Sequence, residues 1–208
     1  KILLMDGAMG TALIARGAKG ALEMLNVESA SQVEALHEEY LQAGADIITT
    51  NTICADALSL AEYGLQSRSY ELARAGAELA RRVADKYSTT EHPRLVAGSV
   101  GPTTRNLTLA NDTTAEQMAA VYADVIRGLK DGGVDIILFT GGAGENQWEV
   151  RELTLEGLEF MGVKMDHEKN RACRATEAVL SADDSKVTVC CIPTDEELMI
   201  ALDTQALC

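Results

Sequence analysis

Short apolar runs alternate with longer amphipathic stretches along the N-terminal part of this chain. The runs KILLMD (1–6), ADIITTN (45–51), RLVAGSVG (94–101) and VDIILFT (134–140) are each bounded by glycine or a polar turn. That pattern predicts strands buried on both faces. Between them, residues 31–43 place Val33, Leu36, Tyr40 and Ala43 on one face. Residues 67–86 do so with Tyr70, Ala73, Ala77, Ala80 and Ala84, and residues 114–130 with Met118, Val121, Val125 and Leu129. Steps of three and four residues predict amphipathic helices. NDTTAEQ (111–117) supplies a cap, with Thr114 and Gln117 three apart. Two strands share a lead-in, LQAGADII at 41–48 and LKDGGVDII at 129–137: a helix end, a glycine cap, then Asp and the strand.

Strands about 40–50 residues apart match successive βα units of a parallel α/β fold. A complete eight-unit barrel takes ~250 residues, so four units make half of one. After residue 146 the rhythm changes. NQWEVRELTLEGLEFMG (146–162) predicts one helix, with Trp148, Leu155, Leu158 and Met161 inward and Gly162 as its stop. VKMDHEKNRACRATEAVLSADDS (163–185) reads as polar and irregular, KVTVCCIPT (186–194) as a strand, and DEELMIALDTQAL (195–207) as a terminal helix. The expected fold is therefore α/β: half of a (βα)8 TIM-type barrel, four parallel βα units, extended by a C-terminal helix–strand–helix segment. An unpaired parallel edge is costly, so residues 186–192 are expected to pair with an edge of that sheet.

Composition sharpens this picture. Apolar residues make up 47% but aromatics only 4%, so the core must be built from Ala, Leu, Val and Ile, as suits helices on parallel strands. The net charge of −14, without a long Lys/Arg run, disfavours a nucleic-acid or anionic-membrane surface. No apolar stretch approaches the ~18 residues of a membrane span, and the run in KILLMDGAMG is too short for a signal peptide. Cys54, Cys173, Cys190, Cys191 and Cys208 show no C-x-x-C spacing; reduced thiols in a cytoplasmic protein are the simplest account. His37, His92 and His167 share no spacing and are expected to be solvated. RELTLEGLE and ELARRVADK read as charged helix faces.

One turn carries candidate chemistry. In IILFTGGAGEN (136–146) a buried strand empties into glycines and a polar helix start. Such a turn either brings backbone N–H groups close to a phosphate or simply joins strand to helix. Cys54 follows the second strand, at the end where barrels place their sites, and Cys190 and Cys191 are adjacent; packing is the ordinary role of all three.

Two resemblances divide the chain. LLMDGAMGT (3–11), YLQAGADIITTNT (40–52), LAEYGL (60–65), LVAGSVGPTTR (95–105) and VYADVIRGLKDGGVDIIL (121–138) resemble the homocysteine S-methyltransferase family, which includes the N-terminal barrel of cobalamin-dependent methionine synthase. FTGGAGEN (139–146), VRELTLEGLEFMGVKMDHEKN (150–170) and IPTDEELMIALDT (192–204) resemble the C-terminal end of the acetate kinase family, which has an unrelated, actin-like ATPase fold. The implied division is 1–138 and 139–208.

The first resemblance implies that Asp6 and Gly7 contact the amino-acid end of homocysteine. It also implies Zn²⁺ held by three cysteines on later strands, which this chain lacks, and an acidic residue where Thr140 stands. The second implies a nucleotide-binding turn at Gly142, Ala143, Gly144, Glu145 and Asn146, with Glu196 as a Mg²⁺-associated carboxylate. Glu196 is equally well an exposed acid in a first helical turn. Three outcomes are expected: a methyltransferase-derived but inactive chimera, a kinase-like fragment with residual Mg-ATP binding, or a recombinant without biochemical function. The partners implied are a small molecule, homocysteine or a nucleotide, with no nucleic acid, no membrane, and a homodimer through exposed sheet edges.

Overall fold

The computed structural model describes residues 3–101, 103, 114–156, 158–159, 162–193 and 205. Glu196, Met161, Cys208 and the expected terminal helix other than Gln205 lie outside them, as does the side chain of Met118. Among the described residues, no helix is long and apolar enough to cross a membrane.

The fold is α/β, with a mostly parallel five-stranded sheet. Its strands are β1 (Ile47–Thr49), β2 (Leu95–Val100), β3 (Ile136–Phe139), β4 (Ala178–Val179) and β5 (Thr188–Cys191), in the order β1-β2-β3-β5-β4. β1, β2, β3 and β5 run parallel, and β4 is antiparallel to β5. Of KILLMD, residues 3–6 are described, and Met5 makes a parallel bridge to Ile47, the first residue of β1. Thr188–Cys191 lies against the edge of β3, with Ile137 opposite Val189 and Phe139 opposite Cys191.

Helices fill the connections: α1 (Met9–Ala15), α2 (Leu25–Glu28), α3 (Ala30–Gln42), α4 (Ala57–Ala61), α5 (Ser69–Tyr87) and α6 (Ala115–Asp131). The inward face of α3 is Val33, Leu36, His37 and Leu41. Ala43, expected inside, is exposed just past the helix end, and Tyr40 is half-buried. On α5, Ala73, Ala77, Ala80 and Ala84 are buried as the stepping requires, but Tyr70 reaches the surface, where its hydroxyl meets Asp131. On α6 the stripe is rotated towards Tyr122, Val125, Ile126 and Leu129, leaving Val121 half-buried. Thr114 opens α6 with a reciprocal capping box to Gln117.

Sheet register sorts side chains by face. Ile48, Val96, Val100, Ile137, Phe139, Val189 and Cys191 share the face on which α5 and α6 pack, and all are buried. Close approach there needs glycine. A Cβ on Gly98 would lie 2.8 Å from the Leu129 side chain, and one on Gly132 would lie 2.4 Å from Ala77 Cβ and 2.7 Å from the Arg74 carbonyl. Gly132→Ala is therefore expected to destabilise by roughly 1–3 kcal/mol, despite alanine's better helix propensity. A denaturant midpoint equal to or above that of the parent chain would contradict it.

The repeated lead-in has a structural purpose. Gly44 and Gly133 turn the chain with φ of +109° and +91°, a conformation that favours glycine. The aspartate that follows then holds the backbone of the preceding strand. Asp46 accepts from the Leu4 N–H at 3.1 Å, and Asp135 accepts from the Val96 N–H at 2.8 Å and from Arg81 at 2.8 Å. These contacts tie the N-terminal ends of the strands together.

The C-terminal part differs most from expectation. GGAGEN forms a short helix, α7 (Gly141–Asn146), and the next helix, α8, covers only Trp148–Leu155. α8 stops because Glu156 turns to ψ 130°, so the run to Gly162 is not one helix. The segment expected to be irregular holds α9 (His167–Ala172), capped by Asp166, and the strand β4. Arg151, expected on a charged face, is fully buried. Its guanidinium donates to Asn170 Oδ1 (2.7 Å) and to the carbonyls of Gly144 (2.6 Å), Asn170 (3.0 Å) and Cys173 (2.8 Å).

Candidate functional site

The parallel strands all point towards one end of the sheet, and a cavity of about 440 Å³ lies there, beyond Met5, β1 and β2. Gly7, Glu23, Thr49, Asn51, Cys54 and Ser59 are among the residues that line it. The segment TTNT (49–52) forms its floor because its polar side chains are consumed internally. Asn51 donates to Asn26 Oδ1 and the Leu22 carbonyl, and Asn26 returns a bond to the Asn51 carbonyl at 2.9 Å. Thr52 donates to the Ser99 carbonyl, and Thr50 accepts from the Ser99 N–H. This closed network fixes the loop on which the cavity is built.

Gly7 lines the same cavity, and Asp6 precedes it, bonded to the lining residue Thr49. The Asp6 carboxylate accepts from the Thr49 N–H at 2.8 Å and from the Thr49 hydroxyl at 2.9 Å. Burial raises its pKa from 3.8 to about 6, against the lowering effect of those Thr49 bonds. A Cβ on Gly7 would meet Tyr40 Oη at 3.1 Å, and that hydroxyl donates to the Ala8 carbonyl. Glycine thus leaves Tyr40 in place beside the carboxylate.

The far wall is acidic. Glu23 accepts from the Cys54 N–H at 3.0 Å, and burial raises its pKa. Asp56 caps α4 through one oxygen, while its other oxygen and the Ser59 hydroxyl are buried without a hydrogen-bond partner. Cys54 sits on the open side of the cavity, yet burial of its sulfur, followed by Glu23, Asp56 and Glu62, pushes the thiol up to about 11. It is not a ready thiolate.

Cys173 and Cys191 meet, but no third donor joins them among the described residues. Cys190 and Cys191 occupy neighbouring positions on β5, whose side chains leave opposite faces. β5 is three strands from β1 in the sheet order, roughly 14 Å at the usual strand spacing. Among the described residues no group of three His, Cys, Asp or Glu side chains could hold a metal ion. A thiolate zinc centre needs such convergence, so this donor set does not fit one.

The glycine turn serves packing in this structure. Gly144 lies against Phe139, and its carbonyl takes both Arg151 and the Cys191 thiol. The Glu145 carbonyl accepts from the Ala175 N–H. Gly142 and Ala143 belong to α7 with side chains outside the described set, and Glu196 is also outside it. Gly7 thus lines the cavity and Asp6 is bonded to its lining residue Thr49, whereas Gly144 and Glu145 are brought to the Arg151 hub. Glu23, Ser59 and Arg151 were missed by sequence reasoning. Arg151 had a signal: it stands between Trp148 and Leu155 in the stepping 148, 151, 155, 158. Glu23 had a weaker one, a single acid inside the run ALEML.

Comparison with known proteins agrees with both resemblances. A homocysteine S-methyltransferase family model matches residues 3–141, and an acetokinase family model matches residues 94–202, so the two overlap over 94–141. The chain is 71% identical over 76 residues to acetate kinase of Phocaeicola vulgatus, covering 36% of this chain and 19% of that protein. It is 36% identical over 146 residues to methionine synthase of Mycobacterium leprae, covering 66% of this chain and 12% of that protein. Among solved structures, the oxidised form of the homocysteine methyltransferase MmuM from Escherichia coli superposes with a TM-score of 0.62 at 29% identity. That match covers 76% of this chain and 58% of the other. The chain therefore spans less than two thirds of each of these relatives.

Proposed function

We propose, for a chain that belongs to the homocysteine S-methyltransferase family through residues 3–141 and to the acetokinase family through residues 94–202, that its working site is the cavity beside Asp6 and Gly7. This cavity holds the amino-acid end of homocysteine and transfers no methyl group. The sheet corresponds to the first half of a (βα)8 barrel, with β5 in the place of the next strand. The supporting observation is the position of the cavity at the C-terminal ends of the parallel strands, where barrels of this kind place their sites.

The chemistry available there is binding. Thr49 orients the Asp6 carboxylate with two hydrogen bonds, leaving lone pairs for a ligand ammonium group. Methyl transfer to sulfur needs a thiolate, and among the described residues no three donors group to hold a zinc ion that would make one. Thr140, where the family carries an acid, offers no carboxylate in its place. Nucleotide binding at Gly142–Asn146 has no comparable support, because none of those residues lines the cavity.

Titration calorimetry with L-homocysteine tests this reading. Asp6→Asn is expected to weaken binding about tenfold or more, the worth of a charge-assisted hydrogen bond. In the parent chain, affinity is expected to fall as pH drops below about 6, where the carboxylate takes a proton. Undiminished affinity in Asp6→Asn, or methylation of homocysteine by the purified chain, would overturn the proposal.

A further inference from the structure

We infer that the far wall of the cavity takes a cationic side chain, so that the preferred ligand is an α-amino acid ending in an ammonium group rather than a thiol. The inference rests on the cavity being an amino-acid site and adds what fills its other end. Glu23 and Ser59 line the cavity while only 3% and 5% exposed, and Asp56 behind them is 2% exposed. Burying acids at such a wall is costly unless a partner arrives. Two buried polar atoms there lack one: the Ser59 hydroxyl and the second Asp56 oxygen make no hydrogen bond. Glu62 adds a further carboxylate at the mouth, and no Lys or Arg stands among the described lining residues.

Cys54 reports the local potential. Beyond burial, Glu23, Asp56 and Glu62 each push its thiol upwards, to about 11. A ligand thiolate at this wall meets the same repulsion, whereas an ammonium group meets acceptors. An ammonium brings three N–H donors, suited to the Glu23 carboxylate and the idle Ser59 hydroxyl. A neutral alkyl end would leave the Ser59 hydroxyl without a partner and bring no donor to the Glu23 carboxylate.

The test compares L-ornithine with L-norleucine, whose side chain has the same number of heavy atoms, and with L-homocysteine, by calorimetry on the full chain at neutral pH. Ornithine is expected to bind about tenfold tighter than norleucine, as a charge-assisted hydrogen bond allows. Glu23→Gln is expected to remove that preference, and Asp6→Asn to weaken all three ligands alike. The comparison on the parent chain decides the matter even if Glu23→Gln fails to fold. Norleucine or homocysteine binding as tightly as ornithine overturns the inference while leaving the amino-acid cavity standing. Absence of binding by all three overturns both.

Discussion

A chain carrying Arg151→Leu is expected to lose on the order of 3–5 kcal/mol of stability. The guanidinium is fully buried, and it donates to Asn170 Oδ1 and to three backbone carbonyls, those of Gly144, Asn170 and Cys173. Leucine would leave these acceptors without that donor, at about 1–3 kcal/mol for each one that stays buried and unsatisfied. Removing a buried charge returns part of that cost, but several orphaned acceptors outweigh it. Because whole domains are stable by only about 5–15 kcal/mol, the variant should sit close to unfolding. Urea denaturation gives the magnitude, and amide exchange locates the loss, which should concentrate in α7, α9 and β5. Arg151→Lys, with a charge but no planar fork, is expected to recover only part of the loss. A change below about 1 kcal/mol in Arg151→Leu would show that the hub does not hold the C-terminal segment in place.

The second large effect is acid lability from His37. This side chain is fully buried on α3, and neither ring nitrogen has a hydrogen-bond partner. Burial lowers its pKa from 6.5 to about 4. Above pH 6.5 the ring is neutral in both folded and unfolded chains, so its titration has no effect on stability. Between about 6.5 and 4 only the unfolded chain takes up the proton, and stability falls by about 1.4 kcal/mol per pH unit. The total approaches roughly 3 kcal/mol. Asp6 acts in the opposite sense over much of the same range. Its folded pKa of about 6 lies above 3.8, so stability rises as pH falls through that interval.

The His37 contribution is therefore read as the difference between the parent chain and His37→Leu. The variant is expected to lose the downward slope and, above pH 7, to gain about 1 kcal/mol because two unpartnered polar atoms are gone. Parallel stability–pH curves for the two chains would rule this out.

Much of the N-terminal architecture was legible beforehand. The alanine steps on α5, the Thr114–Gln117 box and the glycine–aspartate lead-ins depend on neighbours within a few residues, and they stand where periodicity places them. Asp6 and Gly7 were expected from resemblance to hold a ligand; Gly7 lines the cavity and Asp6 is bonded to its lining residue Thr49. Glu23 and Ser59 were not, because their meaning depends on the loop after β1 folding back over them. His37 followed the helical stepping of Val33 and Leu41 but was expected to be solvated from its residue type alone.

By itself the sequence determined the strands β1, β2, β3 and β5, the helices α3, α5 and α6, and the alternation that makes a parallel sheet. Each of these is set by periodicity and capping within a short window. Only the tertiary structure decided that Arg151 is a buried hub, that Gly144 meets its guanidinium, that β4 folds back on β5, and that Glu23 and Ser59 line one cavity with Gly7. The physical reason is that a charged side chain carries no local instruction about burial. Whether it faces water or the interior depends on the carbonyls and carboxylates brought to it by residues distant in the chain.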